Sequence, residues 1–215
     1  MKKVLFILGL CLLITTISIG QTEQKLPKAE LPVLSTSAGQ SADVNTLNVI
    51  LEQASVNYDY CDVPTVAMMK SGVGLGGQKT AEGIHVEITS DLKAYPKGTA
   101  YKTIIFAIGA SLKGMGASGL TIEDELKRLE SLIKYCQENK IFIIAVHSGG
   151  ESKRGAVGSN NERMIDAIAP FANLIVVVAD SNKDGRFTKI SKDKNIPLTE
   201  VKYALGIVET LEKVF

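Results

Sequence analysis

Three apolar runs of the chain are too continuous for amphipathic helices and too short to cross a membrane: Thr103 to Gly109, Ile141 to His147 and Leu174 to Ala179. Runs of this length, bounded by turn residues, read as strands buried on both faces of a parallel sheet. Between them the period changes to that of a helix. Leu126, Leu129, Ile133 and Cys136 share one face of a helix that Thr121 caps, that Glu123, Asp124 and Glu125 favour in its first turn, and that ends near Asn139. Ser159 and Glu162 have capping-box spacing ahead of Met164, Ile165 and Ile168. Nearer the start, Pro32 to Thr36 predicts a short first strand. A Ser/Gly turn follows, with Ser41 as N-cap of a helix that carries Val44, Leu47, Leu51 and Ala54 on one face. In the less regular stretch from Ser55 to Tyr101, Thr65 to Met69 and Ile84 to Thr89 predict two further strands, joined by a hairpin loop over Gly72 to Gly77. Beyond Pro197 a final amphipathic helix is expected, with Val201, Ala204, Leu205, Val208, Leu211 and Phe215 inward. This order predicts a three-layer α/β domain with a mainly parallel sheet.

The ends of the chain and its charge narrow the picture. Residues 1–20 carry Lys2 and Lys3, an apolar run and then small residues, the pattern of a secretory signal peptide. Residues 21–30 read as a polar linker and residues 31–215 as one domain. Without Lys2 and Lys3 the basic residues fall from 24 to 22 against 23 acidic ones, a net charge of −1. A nucleic-acid surface needs a basic excess and a membrane-surface helix a basic face, so neither partner is expected, and the mature chain is not expected to span a membrane. Cys61 and Cys136 are the cysteines left after the signal peptide; export permits a bridge, but the helical stripe around Cys136 favours two half-buried thiols. Two histidines in the whole chain and no cysteine pair at ligand spacing assign no metal.

In an open parallel sheet, ligands sit at the carboxyl ends of the strands, so the loops there carry the candidate chemistry. The turn after the first strand offers Ser37, Gly39, Gln40 and Ser41 at a helix start, where an anion is welcome. The loop after the Thr103 strand offers Ser111, Lys113 and Gly114, and the next offers His147, Ser148, Gly149, Lys153 and Arg154. Gly72 to Gly77 matches G-x-G-x-x-G, but a strand rather than a helix is expected after it, so no dinucleotide site is assigned. Asp180, Asn182, Asp184 and Gly185 resemble the first half of an EF-hand loop, yet Ser191 stands where its last acid is needed, and a plain turn is the expectation. His85 reads as a surface or packed residue.

The turn from Ser35 to Ser41 resembles the phosphate loop of flavodoxins. A flavodoxin-like, doubly wound strand order would bring that turn beside Ser111, Lys113 and Gly114, with the His147 loop next along the edge. A flavin also wants flat aromatic walls; with no Trp and only Tyr58, Tyr60, Tyr95 and Tyr101 loosely placed, no cofactor is assigned. The loops SAGQS, GASLKGMGASG, HSGGESKRG and NKDGRFT together resemble an uncharacterised family of exported bacterial proteins, a domain of unknown function, over most of residues 31–215. That resemblance implies the architecture and transfers no catalytic role. The expectation is an exported, extracytoplasmic, non-catalytic domain binding a small anionic solute and serving a membrane transporter or sensor. Two alternatives stay open: a hydrolase-type enzyme with His147 as general base toward Ser148, Ser111 or water, and a structural or partner-binding envelope protein.

Overall fold

The computed structural model describes residues 26–77, 81–90 and 94–215, so the expected signal peptide and most of the expected linker lie outside the described residues. The buried apolar runs form the middle of a seven-stranded sheet: β1 (Val33–Ala38), β2 (Tyr58–Cys61), β3 (Ile88–Ser90), β4 (Thr103–Ile108), β5 (Phe142–His147), β6 (Leu174–Val178) and β7 (Leu198–Val201). Their order is β3-β2-β1-β4-β5-β6-β7, and every pairing is parallel except that of β3 with β2. Leaving out the antiparallel edge β3, this is the doubly wound, flavodoxin-like order that the sequence predicts, extended by β7.

Each central strand divides its apolar residues between two helical layers by parity, as a parallel sheet covered on both faces requires. Ile104, Phe106, Ile143, Ala145, Ile175 and Val177 face α4 (Ile122–Glu138), α5 (Asn160–Ile168) and α6 (Arg186–Lys194). Ile105, Ala107, Ile144, Val146, Leu174 and Val176 face α1 (Asp43–Gln53) and α7 (Ile207–Val214). Thr121 caps α4 as expected, and Asp124 completes a capping box with it: Thr121 Oγ1 accepts from the Asp124 amide at 3.1 Å, and Asp124 accepts in return from the Thr121 amide. Cys61 and Cys136 are buried free thiols, both pushed up to about 12 by burial.

Several expectations change. Thr65 to Met69 is not a strand but the start of α2 (Val66–Ser71), because the Thr65 hydroxyl accepts from the Met68 amide at 3.2 Å and caps a helix. The strand of this region is β2, just before it. Only the end of Ile84 to Thr89 joins the sheet, as the short, exposed β3. Gly72 to Gly77 leads out of α2 through a 3-10 turn rather than around a hairpin, and residues 78–80 lie outside the described residues. The glycine loop after β4 winds into α3 (Leu112–Ala117) under the cap of Ser111, whose hydroxyl accepts from the Gly114 amide at 3.0 Å. The helix α1 begins at Asp43 with Ala42 as its cap residue, one place after Ser41. Past Pro197 the chain forms β7 before α7, so Leu205 is exposed, and Ile207, Leu211 and Val214 make the buried face. No helix of the described residues is long and apolar enough to cross a membrane.

Candidate functional site

The strand order reverses between β1 and β4, and there the sequence places an anion among Ser37, Gly39, Gln40, Ser41, Ser111 and Gly114. The structure brings these residues together and closes the crevice between them. Gln40 and Ala110 form an antiparallel bridge, the Ser111 amide donates to the Gly39 carbonyl at 2.8 Å, and the Gly109 amide donates to the Ala38 carbonyl at 3.0 Å. The approach is so close that a Cβ on Gly39, whose φ is +102°, would lie 2.5 Å from the Gly109 oxygen, and one on Gly114 would lie 2.0 Å from the Gln40 oxygen.

The anion at this turn is the chain's own. Gly39 donates its amide to Glu125 Oε1 at 2.7 Å, and Glu125 is fully buried. Arg128 clamps the same carboxylate through Nε at 2.8 Å and Nη2 at 2.7 Å, and donates from Nη2 to the Ser37 carbonyl at 2.8 Å. Gln40 Nε2 donates to the Asp62 carbonyl at 2.8 Å. Ser37 Oγ accepts from the Ser41 amide at 3.1 Å, and Ser41 Oγ donates to Asp43 Oδ2 at 2.5 Å. The polar groups of the turn are therefore bonded within the protein. Glu125 and Arg128 were missed as site residues, although an acid in register with Leu129 and Leu132 on an apolar stripe is a signal of burial.

One strand further along, His147 at the end of β5 is fully buried against the Phe187 ring, with centroids 5.3 Å apart. Its Nε2 lies 3.2 Å from the Lys153 carbonyl, which can only accept, so Nε2 carries the proton and Nδ1 accepts from Ser181 Oγ at 2.8 Å. Burial lowers its pKa; the Lys153 carbonyl opposes the shift and the Arg154 charge adds to it, and the ring is neutral near pH 7. The hydroxyl on His147 is thus that of Ser181, not of Ser148 or Ser111.

Arg154 crosses from the β5 loop to both neighbours. It donates to Glu162 from Nε at 2.7 Å, to Asp184 from Nη2 at 2.7 Å, and to the Ser181 carbonyl. Glu162 also accepts from the Gly155 amide at 3.2 Å and lies 3.0 Å from Arg186 Nε, so it does not close the expected capping box with Ser159. Burial opposes the Glu162 charge, but the bonds from Arg154 and Gly155 and the two guanidinium charges outweigh it and hold the carboxyl below its usual range. Arg154 likewise holds Asp184 down at about 2. Of the other expected cations, Lys153 Nζ lies 3.9 Å from Asp43 Oδ2, and Lys113 is exposed on α3.

A cleft of about 320 Å³ opens along this edge between the loops after β5 and β6, lined by Glu151, Arg154, Gly155, Asp180, Lys183 and Asp184. Lys183 bridges Glu151 at 2.8 Å and Asp180 at 3.4 Å across its mouth. The EF-hand likeness dissolves in the same place. Asn182 Oδ1 accepts from the Phe187 amide at 2.8 Å to start α6, Asp180 and Asp184 face cations, and among the described residues no cluster of acid, histidine or cysteine side chains could hold a metal ion.

No curated protein matches the chain. A crystal structure described as a GDP-L-fucose synthetase from Naegleria fowleri is similar at 10% identity and a TM-score of 0.32, over 84% of this chain and 51% of its own. The chain thus spans about half the length of that enzyme, and at this level the likeness carries no argument. Residues 30–215 match the family described as a domain of unknown function (DUF6305), and the chain belongs to that family.

Proposed function

We propose that the protein is an exported, non-catalytic binding domain for a small solute bearing an anionic group, serving a transporter or sensor. The observation that carries this reading is the cleft between the β5 and β6 loops, at the sheet edge where parallel α/β domains hold ligands. Its cations, Arg154 and Lys183, face carboxylates of the protein, so a carboxylate or phosphate of a solute can exchange for Glu151 or Asp180 on Lys183 without new charge being buried. Lys183 is exposed and can be replaced without loss of the fold. The test is ligand-observed NMR on a panel of small carboxylates and phosphates. A binder whose signal is lost in Lys183→Ala supports the reading, and a panel without binders, or one whose binding ignores Lys183, overturns it.

A second reading, a hydrolase, is favoured by one contact: the Ser181 hydroxyl on His147 Nδ1 at 2.8 Å, the geometry of a base beside a nucleophile. Against it, both side chains are fully buried, and a backbone carbonyl rather than a carboxylate orients the ring. Covalent labelling by a fluorophosphonate that Ser181→Ala abolishes would establish it in place of the first.

A further inference from the structure

A cavity of about 470 Å³ opens at the opposite end of the sheet, where β4 and β5 begin. It is walled by Lys28 from the segment ahead of β1, Lys70 from the last turn of α2, Lys102 ahead of β4 and Lys140 ahead of β5, with Tyr135 of α4 and one acid, Glu30. Four exposed lysines and a single acid thus line one concavity. Elsewhere Lys134, Lys183, Lys189 and Lys213 each lie within ion-pair distance of an acid. Here Lys28 donates to the Lys213 carbonyl at 2.6 Å, Lys70 lies 5.9 Å from the Tyr135 ring centroid, and among the described residues none of the four is ion-paired. Like charges gathered in a concavity raise the potential inside it, because the protein walls screen less than water.

Lys140 adds a second observation. It links α4 to β5 in the left-handed conformation, φ 55°, the helix-end position where glycine is favoured. A lysine there works against the backbone preference and stands in the wall of the cavity.

We propose that this cavity is a binding site for a multivalent oxyanion, a phosphate or sulfate group of a small molecule, separate from the cleft of the β5 and β6 loops. Lysines are mobile point charges without the fixed fork of arginine, so the site selects charge rather than shape and releases its ligand with rising salt. The test titrates inorganic pyrophosphate, inorganic phosphate, sulfate and acetate into the purified protein at low ionic strength, followed by backbone amide NMR. Pyrophosphate is expected to bind ahead of phosphate and sulfate, to shift the amides of Lys102, Lys140, Ile141 and Phe142, and to leave acetate far behind. Lys102→Glu with Lys140→Glu should weaken it at least tenfold, while Lys189→Ala, whose ammonium pairs with Asp193 on α6, holds within twofold. Lys140→Gly should raise the melting temperature and weaken pyrophosphate severalfold, opposite signs that a purely structural lysine cannot give. No pyrophosphate binding, equal binding of acetate, or binding indifferent to the double charge reversal overturns the proposal.

Discussion

At the scale of single residues, the neutral ring of His147 gives folding a pH dependence with a definite sign. An unfolded chain protonates this histidine near its ordinary value of 6.5, the folded protein only at lower pH. Between the two, the unfolded state holds more protons, so stability is unaffected above about pH 7 and falls as the pH drops, by up to about 1.4 kcal/mol per pH unit. Urea titrations at pH 7.5 and 5.5 should show this loss in the wild type and a smaller one in His147→Gln. Glu162 is the counterpart of opposite charge. With its side chain 1% exposed and two arginines upon it, Glu162→Gln leaves both cations short of a partner and should cost about 3 kcal/mol, read as a lower denaturant midpoint. Neither role was legible in the sequence. The partners of His147 and Glu162 come from the β5 and β6 loops and from α6, and a side chain's pairing across the fold leaves no mark on local spacing.

At the scale of elements, α4 shows what was legible and what was not. Its cap, its acidic first turn and its apolar stripe are local properties, and its limits follow from them. That Glu125 leaves the first-turn acids and enters the core is a property of the packed pair with β1. Glu125→Gln should keep the bond from the Gly39 amide but strip Arg128, already without a bond on Nη1, of its charge partner, and lower stability by about 3 kcal/mol. Adding Arg128→Met should recover part of that loss in a thermal melt, since the double variant leaves no buried charge unpaired. The elements missed or misread include α2, α6 and β7, which are six, nine and four residues long and repeat an apolar stripe only about twice. Side chains begin two of them: Thr65 caps α2, and Asn182 starts α6 from a loop whose Asn, Asp and Gly content reads as a turn.

At the scale of the whole molecule, the doubly wound order was legible because β4, β5 and β6 are buried on both faces and announce themselves as unbroken apolar runs. The polar β1, with Ser35, Thr36 and Ser37 buried between its neighbours, gives no such announcement past Thr36. Its side chains are acceptable inside because Ser35 donates to Asn48 at 2.6 Å and Ser37 accepts from Ser41. The edge of the loops and the opposite edge also differ in electrical character: ion pairs cross the first, and at the second four lysines share the wall with one acid, Glu30.

The closed crevice between β1 and β4 has one more consequence. A fold that leaves this position for a cofactor is held together in part by mass action, and loosens when the cofactor is washed away. In this chain the occupant is Glu125, joined to the same polypeptide and unable to dissociate. The strand-reversal point is therefore saturated at every dilution, and no small molecule has to be supplied for the centre of the sheet to be complete.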